Sequence, residues 1–129
     1  MPKFKMKAVL DSHALFWYLT ADPKLSSKAK FAIESYEAIV IPTIVLLESF
    51  EICLAKGKVD LFTKLLDSLP TDTLVVYPLD LSLVRGYAKI PRGKIDMHDR
   101  IILAAAQSLN LPIITKDEEV SKIYPKVIW

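Results

Sequence analysis

The chain has 129 residues, of which 52% are hydrophobic and 25% are charged, and this length favours one globular domain, residues 1–129, over two. Seventeen Lys and Arg against fifteen Asp and Glu give a formal net charge of +2, which excludes the strong basic excess that by itself indicates a nucleic-acid binder. The single cysteine, Cys53, excludes an intramolecular disulfide framework and a multi-cysteine metal site.

Short apolar runs alternate with amphipathic stretches along the whole chain. In chain order the pattern predicts strand 7–10, helices 13–19 and 26–36, strand 38–41, helices 43–56 and 59–69, strand 74–77, helix 82–89, loop 90–95, helix 96–110, strand 112–115 and an edge strand at 127–129. The longest nearly apolar stretch, residues 38–47, is shorter than the roughly 20 residues of a spanning helix. We therefore expect a cytoplasmic protein without a membrane partner.

Strands that alternate with helices require crossovers between parallel neighbours. The expected fold is therefore α/β, a three-layer α/β/α sandwich with a mostly parallel central sheet. In sheets of this kind, ligands bind outside the carboxyl ends of the strands. Candidate functional residues are expected where a strand passes into a loop or a helix.

Two acids occupy such positions. Asp11 directly follows strand 7–10, and Asp117 follows strand 112–115 with only Lys116 between. Either acid alone is equally well explained as the cap of a following helix. Two acids at the same sheet edge favour a functional pair.

A second pair of acids opens the predicted helix 96–110. Asp96 and Asp99 are three residues apart and share one face of that helix. A capping role explains Asp96 about as well as a functional one, because a helix dipole favours acids in the first turn.

Glu48 lies in the middle of the predicted helix 43–56. At 100° per residue it falls between Ile44 and Ile52, within an apolar stripe, while Ser49 points to a different side. A carboxylate in such a stripe is costly unless a cation or hydrogen-bond donors meet it. Glu51 is similarly placed and is the main competitor for a role at the site.

Converging carboxylates repel one another unless a cation lies between them. Oxygen-only ligands without a His pair or a Cys cluster suit Mg²⁺ or Mn²⁺, which are usually bound together with phosphate oxygens. A site of this kind is typical of metal-assisted phosphoryl transfer, in which the ion activates a water and neutralises the leaving oxygen.

Four segments of the chain, in this order, resemble the acidic motifs of PIN-domain nucleases, especially the VapC toxins of type II toxin–antitoxin systems. They are Val9-Leu10-Asp11-Ser12-His13-Ala14-Leu15-Phe16-Trp17-Tyr18-Leu19, Ile41-Pro42 through Leu47-Glu48, Asp96-Met97-His98-Asp99-Arg100 with the apolar run that follows, and Ile113-Ile114-Thr115-Lys116-Asp117. One departure is Met97-His98, where the family often has Pro-Phe.

The resemblance implies a Mg²⁺- or Mn²⁺-dependent endoribonuclease with an RNA substrate, usually a homodimer. A cognate antitoxin holds such an enzyme inactive, because the antitoxin's C-terminal segment fills the acidic groove. Four acids match the family's catalytic and metal-binding set, namely Asp11, Glu48, Asp99 and Asp117. Of these, Glu48 is expected to act through a water. Asp96 matches an accessory acid. Thr115 matches a small hydroxyl residue that supports the site, and it is also a candidate substrate contact. Arg100 is expected to brace the acids or contact a substrate phosphate.

Two other functions fit parts of the pattern. A PIN-family RNA-processing nuclease would have the same chemistry without an antitoxin. A phosphoacceptor receiver domain is also α/β, with Asp80 after a central strand 74–77 as the possible acceptor. Ser12, where a receiver needs a second early acid, disfavours the receiver.

Overall fold

The computed structural model describes residues 4–129. The elements are, in chain order, β1 (Phe4–Leu10), α1 (Ser12–Leu19), α2 (Ser27–Ser35), β2 (Tyr36–Pro42), α3 (Thr43–Ala55), α4 (Val59–Ser68), β3 (Leu74–Tyr77), α5 (Leu81–Tyr87), α6 (Met97–Leu109), β4 (Ile113–Ile114), α7 (Glu118–Ile123) and β5 (Val127–Ile128). Every predicted strand and helix is present, with its ends displaced by a few residues. Helix α7 was not predicted.

Local side chains set most helix ends. The Ser26 hydroxyl accepts the Ala29 N–H at 3.0 Å and so caps α2. After α3, Gly57 takes a φ of +69°, and Asn110 ends α6 with a φ of +54°. These left-handed residues stop a helix because the chain must turn away from its axis.

All four strand pairings in the sheet are parallel, and the strand order is β3-β2-β1-β4-β5. The expected α/β architecture with a mostly parallel sheet is confirmed. The expectation that strand 74–77 is central is wrong, because β3 pairs only with β2 and forms an edge of the sheet.

The strand order reverses direction between β1 and β4. From β1 the chain adds β2 and β3 on one side, and it later adds β4 and β5 on the other. Helices α1, α3 and α4 pack in succession, and α5 packs on α6. Right-handed crossovers that run in opposite directions place their helices on opposite faces of the sheet. The carboxyl ends of β1 and β4 thus open into a crevice at this switch point, where ligands bind in such folds.

The core lies on both faces of β1 and β2. Ala8, Val9 and Leu10 are fully buried, as are Ile39 and Ile41. On α6 the buried run 101–106 ends in three alanines, whose small side chains allow the helix to approach the sheet closely. In residues 4–129, no helix combines the length and the apolar character required to cross a bilayer.

Candidate active site

Asp11 lies at the switch point, beside Thr115. Leu10 pairs with Ile114, and the Asp11 N–H donates to the Ile114 carbonyl at 3.2 Å. The Asp11 Oδ1 accepts the Ala14 N–H at 2.8 Å and caps α1, while the Thr115 hydroxyl donates to Oδ2. Burial raises the pKa of Asp11 from 3.8 to about 6, although both hydrogen bonds act in the opposite direction.

Thr115 is a support for Asp11 and does not face a substrate. Only 2% of the residue is exposed, and its hydroxyl also accepts the Asp117 N–H at 3.1 Å. The expectation that Thr115 contacts substrate is therefore corrected: the hydroxyl orients the first acid and the loop that holds the last one.

Glu48 projects from α3 into the space between α1 and α6. Its Oε1 accepts the Ser12 hydroxyl at 2.6 Å, and its Oε2 lies 3.0 Å from His98 Nδ1. About a quarter of the Glu48 side chain is exposed. Glu51, in contrast, is exposed and lies outside the pocket. The structure thus brings Glu48, and not Glu51, to the other acids.

The buried face of α3 differs from the sequence prediction. The buried residues are Val45, Ser49 and Cys53, while Leu47 is 60% exposed. Ser49 is completely buried because it is small and because its hydroxyl donates to the Ser12 carbonyl at 3.3 Å. That contact allows α1 and α3 to pack closely, and it rotates Glu48 to the edge of the buried face.

Two of the predicted acids, Asp96 and Asp99, lie at the start of α6. Asp96 caps this helix by accepting the Asp99 N–H at 2.9 Å, so its capping role is confirmed. Asp99 is half-buried, and its pKa rises from 3.8 to about 7. The largest cause is burial, followed by the charges of four other carboxylates, which are Asp96, Asp117, Glu48 and Asp11.

Asp117 caps α7. Its Oδ1 accepts the N–H groups of Glu119 and Val120 at 2.8 and 3.2 Å. Helix α7 has six residues, too few to produce a periodic pattern. The acids at Glu118 and Glu119 after Asp117 are nevertheless a helix-start signal from which α7 could have been predicted.

All the predicted acids line one open pocket of about 560 Å³. The complete lining is Asp11, Ser12, His13, Trp17, Glu48, Asp96, Asp99, Lys116, Asp117 and Glu118. Sequence reasoning did not assign Ser12, Lys116 or Glu118 to the site, although each directly adjoins a predicted acid.

Arg100 points away from this pocket. Its guanidinium donates to the Tyr87 hydroxyl at 2.9 Å and to the Ile90 carbonyl at 3.3 Å, and it lies over the Tyr87 ring. Adjacent helical residues differ in direction by about 100°, so Arg100 faces α5 when Asp99 faces the pocket. The expectation that Arg100 braces the acids or binds a phosphate is corrected; it ties α6 to the loop before it.

Asp80 also lies outside the pocket. It is exposed, and its Oδ1 caps α5 by accepting the Leu83 N–H at 3.0 Å. Since β3 is an edge strand, Asp80 is remote from the switch point. The phosphoacceptor alternative is therefore wrong.

The pocket has a strong excess of negative charge. In residues 4–129 the two ion pairs are His98–Glu48 and Lys122–Glu119, so no Lys or Arg there pairs with a pocket acid. Burial is the largest cause of the raised pKa values of Asp11 and Asp99, and repulsion from neighbouring carboxylates adds to both. A cation or a proton must supply the compensating charge.

The sequence of the chain matches a protein-family model, and its fold resembles that of solved structures. The PIN domain model matches residues 8–125, whereas no curated protein matches the sequence. A toxin–antitoxin complex from Klebsiella pneumoniae has a chain with a TM-score of 0.72 and 21% identity, with 95% of this chain and 96% of that one covered.

Two further solved structures have the same fold. One is VapBC2 from Rickettsia felis bound to a DNA fragment from its promoter, with a TM-score of 0.71, 16% identity and coverage of 95% and 96%. The other is VapC20 from Mycobacterium tuberculosis, a Sarcin-Ricin loop cleaving toxin, with a TM-score of 0.69, 13% identity and coverage of 89% and 93%. Because the family match extends over residues 8–125, the chain belongs to the PIN-domain family.

Proposed function

We propose that this chain is a single-domain, Mg²⁺- or Mn²⁺-dependent endoribonuclease that hydrolyses RNA phosphodiester bonds in the cytoplasm. The observation that supports the proposal is one pocket with five predicted acids and no Lys or Arg ion partner for them within residues 4–129. A divalent ion and a phosphate would together restore charge balance there.

The chemistry of the donors fits a hard cation. Every predicted ligand is a carboxylate, and oxygen ligands suit Mg²⁺ and Mn²⁺. Within the described part of the chain, no group of three or more His, Cys, Asp or Glu side chains is arranged to hold a metal ion by itself. Mg²⁺ typically retains several waters and uses only one or two carboxylates with substrate phosphates, so an incomplete cage agrees with this ion.

The roles proposed for the acids follow from their surroundings. Asp11, Asp99 and Asp117 would hold the metal, with Asp96 as an accessory acid. Glu48, whose two oxygens are held by Ser12 and His98, would act through a water, as the resemblance to PIN-domain nucleases implies. When bound, the ion would lower the pKa of a water and neutralise charge on the leaving oxygen. Glu48, held at both oxygens, is suited to accept the proton of the attacking water.

The test is cleavage of labelled RNA by the purified chain. We expect single-stranded or looped RNA to be cut with Mg²⁺ or Mn²⁺ and to remain intact with EDTA, and single-stranded DNA of the same sequence to remain uncut. Absence of cleavage with both metals, or equal cleavage in EDTA, would contradict the proposal. Single strands are the expected targets because their backbone can bend into the pocket.

We further propose that the chain is the toxin of a toxin–antitoxin pair and forms a homodimer. The toxin role is supported by the likeness to chains from a toxin–antitoxin complex and from VapBC2. The homodimer is what the resemblance to the family implies. Expression in a bacterial host should stop growth, and co-expression of the protein encoded by an adjacent small open reading frame should restore it. Undisturbed growth, with RNA cleavage retained in vitro, would favour an RNA-processing nuclease without an antitoxin.

His98 is expected to position Glu48 for this reaction. An Asn at position 98 can place its amide N–H close to the position of His98 Nδ1, whereas a Gln places it farther along the side chain. We expect His98→Ala and His98→Gln to lower kcat about 10-fold and His98→Asn to retain most of it, with little change in KM, as for other residues that orient a metal-site carboxylate. Equal losses in the Asn and Gln variants would contradict a positioning role.

A further inference from the structure

A second groove adjoins the acidic pocket and differs from it in charge. This groove, of about 680 Å³, shares His13 and Trp17 with the pocket. Its other polar lining includes Lys24, Lys56 and Lys58. We call it the lysine groove and define it by these three lysines with His13 and Trp17.

The three lysines come from two turns that flank α1. Lys24 lies between α1 and α2, and Lys56 and Lys58 lie on either side of Gly57, whose φ of +69° turns the chain between α3 and α4. All three are exposed. Neither of the two ion pairs in residues 4–129 includes them, so their charges are available to an external anion.

The groove contains one acid, Asp22. Its Oδ1 accepts the backbone N–H of Lys24 at 2.9 Å, and its single negative charge stands against the positive charges of three lysines. The lysine groove therefore has a net positive charge and directly borders a pocket with a strong negative charge. A polyanion that enters the pocket by way of a divalent ion would find compensating charges for its next phosphates in the groove.

Trp17 forms the wall between the two. Its ring is half-buried and lies against Trp129 and His13, with ring centroids 5.8 and 5.6 Å away. The ammonium groups of Lys24 and Lys116 lie 6.0 and 5.9 Å from the ring centroid. An indole that is already fixed by its neighbours offers a base a stacking surface at low entropic cost.

We propose that the lysine groove binds the single-stranded RNA segment next to the scissile phosphate, with Trp17 stacking one base and the three lysines contacting phosphates. This inference rests on the proposed ribonuclease function and adds the path of the substrate. RNA is favoured over an acidic peptide because the groove combines cations with an aromatic platform, which is typical of single-strand binding.

The test measures RNA binding without cleavage. A labelled single-stranded RNA is titrated by fluorescence anisotropy with the Asp99→Asn variant in EDTA, so that affinity is measured independently of catalysis. The groove variant adds Lys24→Ala, Lys56→Ala and Lys58→Ala. The matched control adds Lys5→Ala, Lys28→Ala and Lys64→Ala, three exposed lysines that line neither the pocket nor the groove.

We expect the groove variant to bind RNA at least about 10-fold more weakly than the control variant, although their net charges are equal. The slope of log affinity against log salt should become shallower by about 2 in the groove variant, since each phosphate contact on a single strand contributes about 0.7 to its magnitude. Trp17→Leu should weaken binding about 10-fold with an unchanged salt slope, because stacking does not release counterions. Thermal melting shows whether the Trp17→Leu variant is folded. If it is not, the comparison of the groove and control variants decides the test.

Equal affinity of the groove and control variants would overturn the inference. It would also be overturned if the groove variant bound a poly-glutamate peptide more weakly than the control variant did while the two variants bound RNA equally. The groove would then belong to an acidic protein partner. These results are separate from the proposed function: a failure of the function would appear as absent RNA cleavage by the unmodified chain, whereas a failure of this inference leaves that cleavage unchanged.

Discussion

Asp99→Asn is expected to lower RNA cleavage by about 10³-fold or more while the protein remains folded. Asp99 is half-buried, and its pKa is raised first by burial and then by the charges of all the other predicted acids of the pocket. Asn has the same shape but no charge, so it removes the electrostatic attraction for a divalent ion at the centre of the group. Single-turnover cleavage of a fluorescent RNA at saturating Mg²⁺ or Mn²⁺ measures the effect.

Asp67→Asn provides the control for this substitution. Asp67 is an exposed acid on α4 that does not line the pocket, so it changes the net charge equally. We expect its cleavage rate to remain within about twofold of the unmodified chain, because exposed charges act weakly at a distance in salt. Full activity of the Asp99 variant, in protein free of contaminating nuclease, would remove Asp99 from the proposed catalytic set.

The second prediction concerns stability and pH. Without metal, we expect the protein to be more stable against unfolding at pH 5.5 than at pH 8. The folded-state pKa values of Asp11 and Asp99 are raised to about 6 and about 7, whereas an unfolded Asp titrates near 3.9. Between about pH 4 and pH 7 the folded state therefore binds more protons than the unfolded state, and the free energy of unfolding falls as pH rises.

Between pH 5.5 and pH 8, the free energy of unfolding is expected to fall by roughly 1–3 kcal/mol. Asp11, with a pKa of about 6, is already partly ionised at pH 5.5 and contributes about 1 kcal/mol. Asp99, with a pKa of about 7, titrates within this pH range and contributes about as much after a reduction for solvent screening. For a domain of this size, the change corresponds to a melting temperature several degrees lower at pH 8. Mg²⁺ or Mn²⁺ should raise the melting temperature at pH 8 and have little effect at pH 5.5, because protonated carboxylates do not bind the ion.

Thermal melting at the two pH values, with and without metal, tests this prediction. Asp99→Asn should be more stable than the unmodified chain at pH 8 without metal, and its melting temperature should depend less on pH and on metal. Asp67→Asn should behave like the unmodified chain. A metal-free protein that became more stable as pH rose from 5.5 to 8 would contradict the assigned repulsion among the acids.

The parts of the fold that were predicted correctly depend on short-range signals. The apolar runs of β1 and β2 each involve residues close in the chain, and local patterns are sufficient to predict them. Helix α7 was missed although its cap is local, because its six residues are too few to form a period.

The errors concern contacts between distant segments. Ser49 is buried because the carbonyl of Ser12 lies across from it, 37 positions away in sequence. Arg100 turns from the pocket because Tyr87 and the Ile90 carbonyl offer partners on the other side of α6. Helical periodicity indicates which residues share a face, but it does not identify the neighbour of that face.

From the sequence alone, the acids at strand ends and helix starts were identifiable, since strand periodicity and capping patterns depend on adjacent residues. Only the tertiary structure decided that Glu48 rather than Glu51 faces Asp99, that Thr115 serves Asp11, and that Trp17 separates an acidic pocket from a basic groove. These arrangements depend on strand order and helix packing, in which residues about a hundred positions apart come into contact, and no local pattern in the chain encodes that distance.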